Sequence, residues 1–254
     1  MRAAAKIVHS RRRRGLMRAV MNTLLAFDTA TERISIALAA RGQIWQHEGE
    51  GGAKASATFL PSILRLLRDA SVQVADLDAV AFGRGPGAFT GLRTACSVAQ
   101  GLAFGSGRPV LPIDTLLAVA EDARIGAEPV RVWAVMDARM QEIYAAQYAY
   151  DGEDWSVLDA PMLTTAERLN QRWRAARPEV VAGNALGAFA ELDRAGVRCV
   201  PTAAPRALGM LALARALAAR GGAVGAADAL PLYLRDKVAE TTLERAARAT
   251  AAVG

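Results

Sequence analysis

From Asn22 the chain opens with an apolar run over residues 23–27, followed by the polar turn Asp28-Thr29-Ala30-Thr31-Glu32. Ile34, Ile36 and Leu38 then alternate with Ser35, Ala37 and Ala39, a period of two that predicts a strand with two distinct faces. Arg41-Gly42 supplies a second turn and residues 43–48 a third strand, so the opening reads as a three-strand antiparallel meander. Phe59, Leu60, Ile63, Leu64, Leu66 and Leu67 recur at helical spacing. Pro61 is expected in the first turn of that helix or at a kink in it.

Residues 79–82 form a short apolar run that empties into Gly83-Arg84-Gly85-Pro86-Gly87-Ala88, ahead of a helical pattern over 89–105. A strand at 109–113 leads into a helix beginning near Asp114, whose carboxylate is placed to cap it. A meander followed by helix, strand, helix and strand predicts a mixed sheet with helices on its faces, a first lobe spanning 21–113. Strands at 130–136 and 142–150, a helix at 165–176 and short strands at 180–182 and 197–200 predict a second lobe over 114–204. Residues 205–220 read as an alanine- and leucine-rich helix stopped by Gly221-Gly222, with 205–235 returning to pack on the first lobe. The stretch 236–254 is expected to be a weakly ordered tail.

Composition changes this picture in one respect. With 52% hydrophobic residues the 254-residue chain is a folding sequence, but its 31 bases against 25 acids suggest a polyanion binder. Residues 1–20 hold Arg2, Lys6, Arg11, Arg12, Arg13, Arg14 and Arg18 and no acid. Removing those 7 leaves 31 − 7 = 24 bases against 25 acids. The charge argument therefore belongs to a tail: a disordered basic arm touching RNA, a targeting segment, or an over-extended start with Met17 or Met21 as the first residue, with an over-extended start or an idle tail favoured. Residues 16–27 are interrupted by Arg18 and Asn22 and lack a small-residue cleavage site, unlike a signal peptide. Cys96 and Cys199 make no disulfide framework, so a cytoplasmic location is expected. No apolar run approaches the roughly 18 residues of a membrane span.

Gly83, Gly85 and Ala88 fit G-x-G-x-x-A between a strand and a helix. A dinucleotide fingerprint would also need an acid for the ribose, and residues 103–113 contain none. No Gly-Lys-Ser or Gly-Lys-Thr occurs, which excludes a Walker A loop. Gly85-Pro86-Gly87 thus reads either as a tight structural turn or as an anion cradle at a helix N-terminus. Asp28 and Asp137 each end an apolar strand and are the candidate polar centres. Together with Thr29, Gly85 and Gly87 they form the candidate anion- or nucleotide-binding set; the alternative is that the two acids only close turns. Gly91, Ala95, Ala99 and Ala103 make a ridge of small residues that lets another helix approach, inside the fold or from a second subunit. With His9 and His47 the only histidines, a paired-histidine metal site is excluded, and no G-x-S-x-G elbow is present.

Four segments carry a resemblance: Leu25 to Thr31, Gly83 to Arg93, Met136-Asp137-Ala138-Arg139 with Glu142 and Tyr144, and Pro231-Leu232-Tyr233-Leu234-Arg235. In this order and spacing they closely resemble the TsaB (YeaZ) family, over about residues 22–238. The resemblance implies a two-lobed α/β fold of the actin, hexokinase and Hsp70 (ASKHA) class. It implies a role in making threonylcarbamoyladenosine in tRNA, as the non-catalytic partner that dimerises with and activates a TsaD-like threonylcarbamoyltransferase. TsaD-like proteins carry a metal-binding H-x-x-x-H pair where this chain has Thr115 and Val119, so no metal and no catalytic residue are implied here. No tightly bound cofactor is implied either; ATP is expected at the partner interface. A TsaE-like ATPase, tRNA reached through the complex, and a homodimer are the further implied partners. The implied interface uses Phe59, Ile63 and Leu67 from the first helix and Leu92, Ala95, Ala99 and Ala103 from the second. Family members often have a histidine just before the first of these helices; Lys54-Ala55-Ser56-Ala57 has none. The competing class is an ATP-dependent small-molecule kinase of the same fold, suggested by Asp28-Thr29 and the glycine loop.

Overall fold

The computed structural model describes residues 21–52 and 55–235; the basic stretch 1–20, Lys54 and the tail 236–254 lie outside the described residues. β1 (Leu24–Asp28) is central in a five-stranded sheet of order β3-β2-β1-β4-β5, with β2 (Arg33–Ala40), β3 (Gln43–Glu50), β4 (Ala79–Gly85) and β5 (Val110–Asp114). It runs antiparallel to β2, Asp28 opposite Ser35, and parallel to β4, Phe27 opposite Phe82. A strand flanked on both edges and covered on both faces has no polar side to keep, which is why Leu-Leu-Ala-Phe-Asp is buried throughout.

The faces of this sheet serve different cores. Leu25, Phe27, Val80 and Phe82 point to α1 (Ala55–Asp69) and α2 (Phe89–Ser106). Leu24, Ala26, Ala79 and Ala81 point the other way, onto α3 (Thr115–Ala123) and α6 (Ala207–Ala219). Across those two helices the same cluster continues into Val132, Ala134 and Tyr148 of a second sheet, ordered β10-β9-β6-β7-β8. Its strands are β6 (Val130–Asp137), β7 (Ile143–Tyr150), β8 (Trp155–Thr164), β9 (Val180–Ala182) and β10 (Arg198–Val200). Its far face packs Trp133 and Val135 against Leu169 and Trp173 of α4 (Ala166–Ala175) and Leu186 of the single turn α5 (Ala185–Ala188). The architecture is a mixed α/β arrangement of two lobes that share one apolar layer.

Several local expectations change. α1 is longer than the apolar repeat and holds Pro61 in its interior. β8 is unannounced by the sequence because Asp159 and Pro161 interrupt its alternation; it is an edge strand, where a proline removes no needed donor. Asp114 occupies the N-cap of α3 but gives no side-chain cap. Its carboxylate instead accepts from Arg84 Nε at 2.6 Å, a charged donor that outcompetes the neutral backbone N–H.

Candidate functional site

The turn after β1 is held from beneath by a buried carboxylate. Asp28 is 1% exposed; its Oδ1 accepts from Ala30 N at 2.7 Å and its Oδ2 from Thr115 Oγ1 at 2.9 Å. Thr115 in turn accepts from Gly85 N at 3.1 Å. Burial pushes the Asp28 carboxyl up to about 6, against the opposing pull of the Ala30 and Thr115 hydrogen bonds. Gly83 lies so close that an added Cβ would sit 1.7 Å from Asp28 Oδ2. Thr29, equally buried, donates to Gly91 O at 2.7 Å, and Ala88 N donates to Ala30 O at 2.8 Å. The glycine loop and the start of α2 are therefore pinned onto the β1–β2 turn. Of the five candidate anion-binding residues, Asp28, Thr29 and Gly85 are buried in this knot with their polar groups engaged. Only Gly87 and Asp137 reach the cavity between the lobes. Thr115 ties Asp28, and Val119, one turn further along α3, is fully buried.

That cavity, about 310 Å³, gathers segments remote in sequence: the β1–β2 turn, the loop before α2, the end of β6 with the turn after it, and residues 232–235. Arg139 reaches from the second lobe to Glu32 of the first at 2.8 Å and also pairs with Asp137 at 3.4 Å. Asp137 N donates to Asn184 Oδ1 at 2.9 Å. The C-terminal segment straps both lobes. Leu232 N donates to Arg84 O at 2.6 Å, the Tyr233 ring meets Phe89 at 5.1 Å, and Arg235 pairs with Glu142. The residues that carried the family resemblance thus converge on one cleft, although nothing in their spacing announces it. Asn184 and Glu32 were missed, since each reads as a loop polar residue with no motif around it.

The residues of the expected interface lie on the inward faces of these helices. Phe59, Ile63 and Leu67 of α1 and Leu92, Ala95, Ala99 and Ala103 of α2 are all buried within this chain. Six of the seven belong to the core cluster between the helices and the sheet. The small-residue ridge lets α2 lie close on its own sheet, so it is internal packing. The outer faces carry different residues: Leu60 and Leu64 on α1, and on α2 Phe104, 86% exposed. A Cβ added at Gly101 or Gly105 meets nothing within 4 Å.

Residues 47–197 match the family model described as TsaD, tRNA N6-adenosine threonylcarbamoyltransferase. The chain is 34% identical to the tRNA threonylcarbamoyladenosine biosynthesis protein TsaB of Haemophilus influenzae, covering 85% of this chain and 94% of that protein. It is likewise 34% identical to the TsaB of Escherichia coli, covering 85% and 96%. The solved structure of YeaZ from Pseudomonas aeruginosa superposes with a TM-score of 0.76 at 38% identity, over 84% of this chain and all of that one. Among the described residues no helix is long and apolar enough to cross a membrane. With relatives and structure in agreement over most of its length, the chain belongs to the TsaB (YeaZ) family and has that family's two-lobed, ASKHA-type α/β fold.

Proposed function

We propose that this chain works in the synthesis of threonylcarbamoyladenosine in tRNA, as a subunit that pairs with and activates a TsaD-like threonylcarbamoyltransferase without performing the transfer itself. One observation carries the pairing. After α1 and α2 have filled their own core, their outer faces still present Leu60, Leu64 and Phe104 to water, beside the open backbone at Gly101 and Gly105. Apolar side chains left exposed on two packed helices mark a docking face, and the glycines flanking Phe104 in sequence let a partner helix come close. The TsaD-type match over 47–197 supports a partner built on the same plan. In this reading the same face serves a homodimer when the partner is absent. ATP sits with the partner, and a TsaE-like ATPase and tRNA join through the complex.

The test is co-expression with the same organism's TsaD homologue and sizing of the product by light scattering. Phe104→Glu and Gly101→Leu, both on open surface, are expected to weaken association at least ~10-fold, about 1.4 kcal/mol, with an unchanged melting temperature. Wild-type assembly by both variants would remove this face from the interface. Formation of threonylcarbamoyladenosine by the isolated chain would overturn the non-catalytic role. Saturable ATP binding by the isolated chain that Asp137→Ala abolishes would favour the kinase reading instead.

A further inference from the structure

The outer side of α2 carries one exposed stripe. Thr90, Arg93, Ser97, Gly101 and Phe104 follow at intervals of three or four, which stacks them along one face of a helix, opposite the buried Leu92, Ala95, Ala99 and Ala103. On α1, packed on the same face of the first sheet, Ala57, Leu60, Leu64 and Arg68 make the corresponding exposed stripe. These stripes hold two cations, Arg68 and Arg93, and no acid. Asp69, the single acid in either helix, sits about 100° round from Arg68. Neither arginine is paired with a carboxylate among the described residues.

Arg93 is also held in place. Its guanidinium lies 3.7 Å from the centre of the Phe89 ring, its Nε donates to the Tyr233 hydroxyl at 3.4 Å, and the two rings meet each other. Tyr233 is part of the strap that Arg235 ties to Glu142, so contacts distant in sequence fix the direction of this side chain. Both terminal NH₂ groups are left for an acceptor. Arg93 borders an open depression shared with Phe89, Thr90, Thr94, Ser97 and Val98. A planar, stacked guanidinium suits a carboxylate, which accepts two parallel N–H···O bonds from it, and one already stacked has less rotamer freedom to lose on pairing. A second copy of this chain offers no such acceptor. In an isologous pair each copy presents the same stripes, so the arginines face a surface without carboxylates.

We infer that the outer faces of α1 and α2 form a cationic docking surface for a helical partner that presents carboxylates, with Arg93 as its anchor, and that this charge match favours such a partner over a second copy of the chain. The inference rests on the docking reading above and supplies the chemistry of its selectivity. Phe89 and Tyr233 act as positioning residues for the anchor.

The full chain is titrated with the same organism's TsaD homologue by calorimetry, and homodimerisation of the isolated chain is followed by sedimentation, both from about 50 to about 500 mM NaCl. Raising the salt is expected to weaken the complex ~5-fold or more, because screening shortens the reach of the charges, and to leave the homodimer unchanged or tighter. Arg93→Ala should weaken the complex ~10-fold or more, with an unchanged melting temperature and no loss of homodimer. Arg93→Lys keeps the charge but not the planar fork, and should restore only part of that loss. Phe104→Glu is the control for docking itself. If it breaks the complex while Arg93→Ala and salt leave assembly unchanged, the face docks a partner but the carboxylate anchor is overturned. If Phe104→Glu also assembles as wild type, the docking reading fails and takes this inference with it. A homodimer weakened by Arg93→Ala as much as the complex overturns the selectivity. Intact assembly with weaker binding of tRNA by the Arg93→Ala complex assigns the arginine to RNA phosphate and equally overturns the proposal.

Discussion

Replacing Asp28 by Asn removes one ionisable group from the buried knot while keeping its size and an oxygen for Ala30 N. Burial holds the folded carboxyl at about 6, against an ordinary 3.8. Each pH unit between the folded and unfolded values is worth about 1.36 kcal/mol, so the difference amounts to about 3 kcal/mol for a group this completely enclosed. The sign follows from proton counting. Between pH 3.8 and about 6 the folded chain keeps a proton that the unfolded chain releases, so stability falls as pH rises through this window. Above about 6 both states are ionised and the loss is complete. Other carboxylates also titrate in this range, but they are common to the wild-type and Asp28→Asn proteins and cancel in the comparison. Urea unfolding of both proteins from pH 4 to 7.5 should therefore show the variant gaining about 2 kcal/mol on the wild type as pH rises, the rest having been lost below pH 4, with nearly all of the gain below pH 7. Two curves that stay parallel across the range would refute the claim that Asp28 folds into an environment that resists its charge.

Other substitutions test the packing around the same site. Gly83→Ala places a methyl group 1.7 Å from Asp28 Oδ2, so it should destabilise the fold by about 3 kcal/mol or more; a melting temperature within a degree of wild type would show that the knot can spread. Ala99→Leu inserts three carbons into the closed layer between α2 and its sheet, and should cost about 1–3 kcal/mol of stability. Light scattering at a temperature where the variant remains folded should then show unaltered assembly, whereas lost assembly with intact stability would return the small-residue ridge to the interface.

Much of the first lobe is legible from residue pattern alone. β1, β2 and the helix after the glycine loop follow from local burial periodicity, because a strand enclosed on both faces and a helix against a sheet each impose a repeat that the chain must carry. The family, too, is readable from four short segments. What those segments do was not, and the reason is physical. Whether Asp28 faces a ligand or a core depends on Thr115, 87 residues away, and on the absence of a side chain at Gly83. Which stripe of α2 faces inward is equally invisible, since the helix has small residues on both sides: Ala95, Ala99 and Ala103 inside, Gly101 and Gly105 outside. Its rotational phase is set by the sheet it lies on. The cleft exists only because two lobes and a returning strap bring Glu32, Asp137, Tyr144 and Arg235 together. Residue pattern carried most of the elements, their order and the kinship, though not the edge strand β8. Which polar groups are spent inside the fold and which face the cleft came from three-dimensional packing, because that depends on contacts between residues that no local pattern relates.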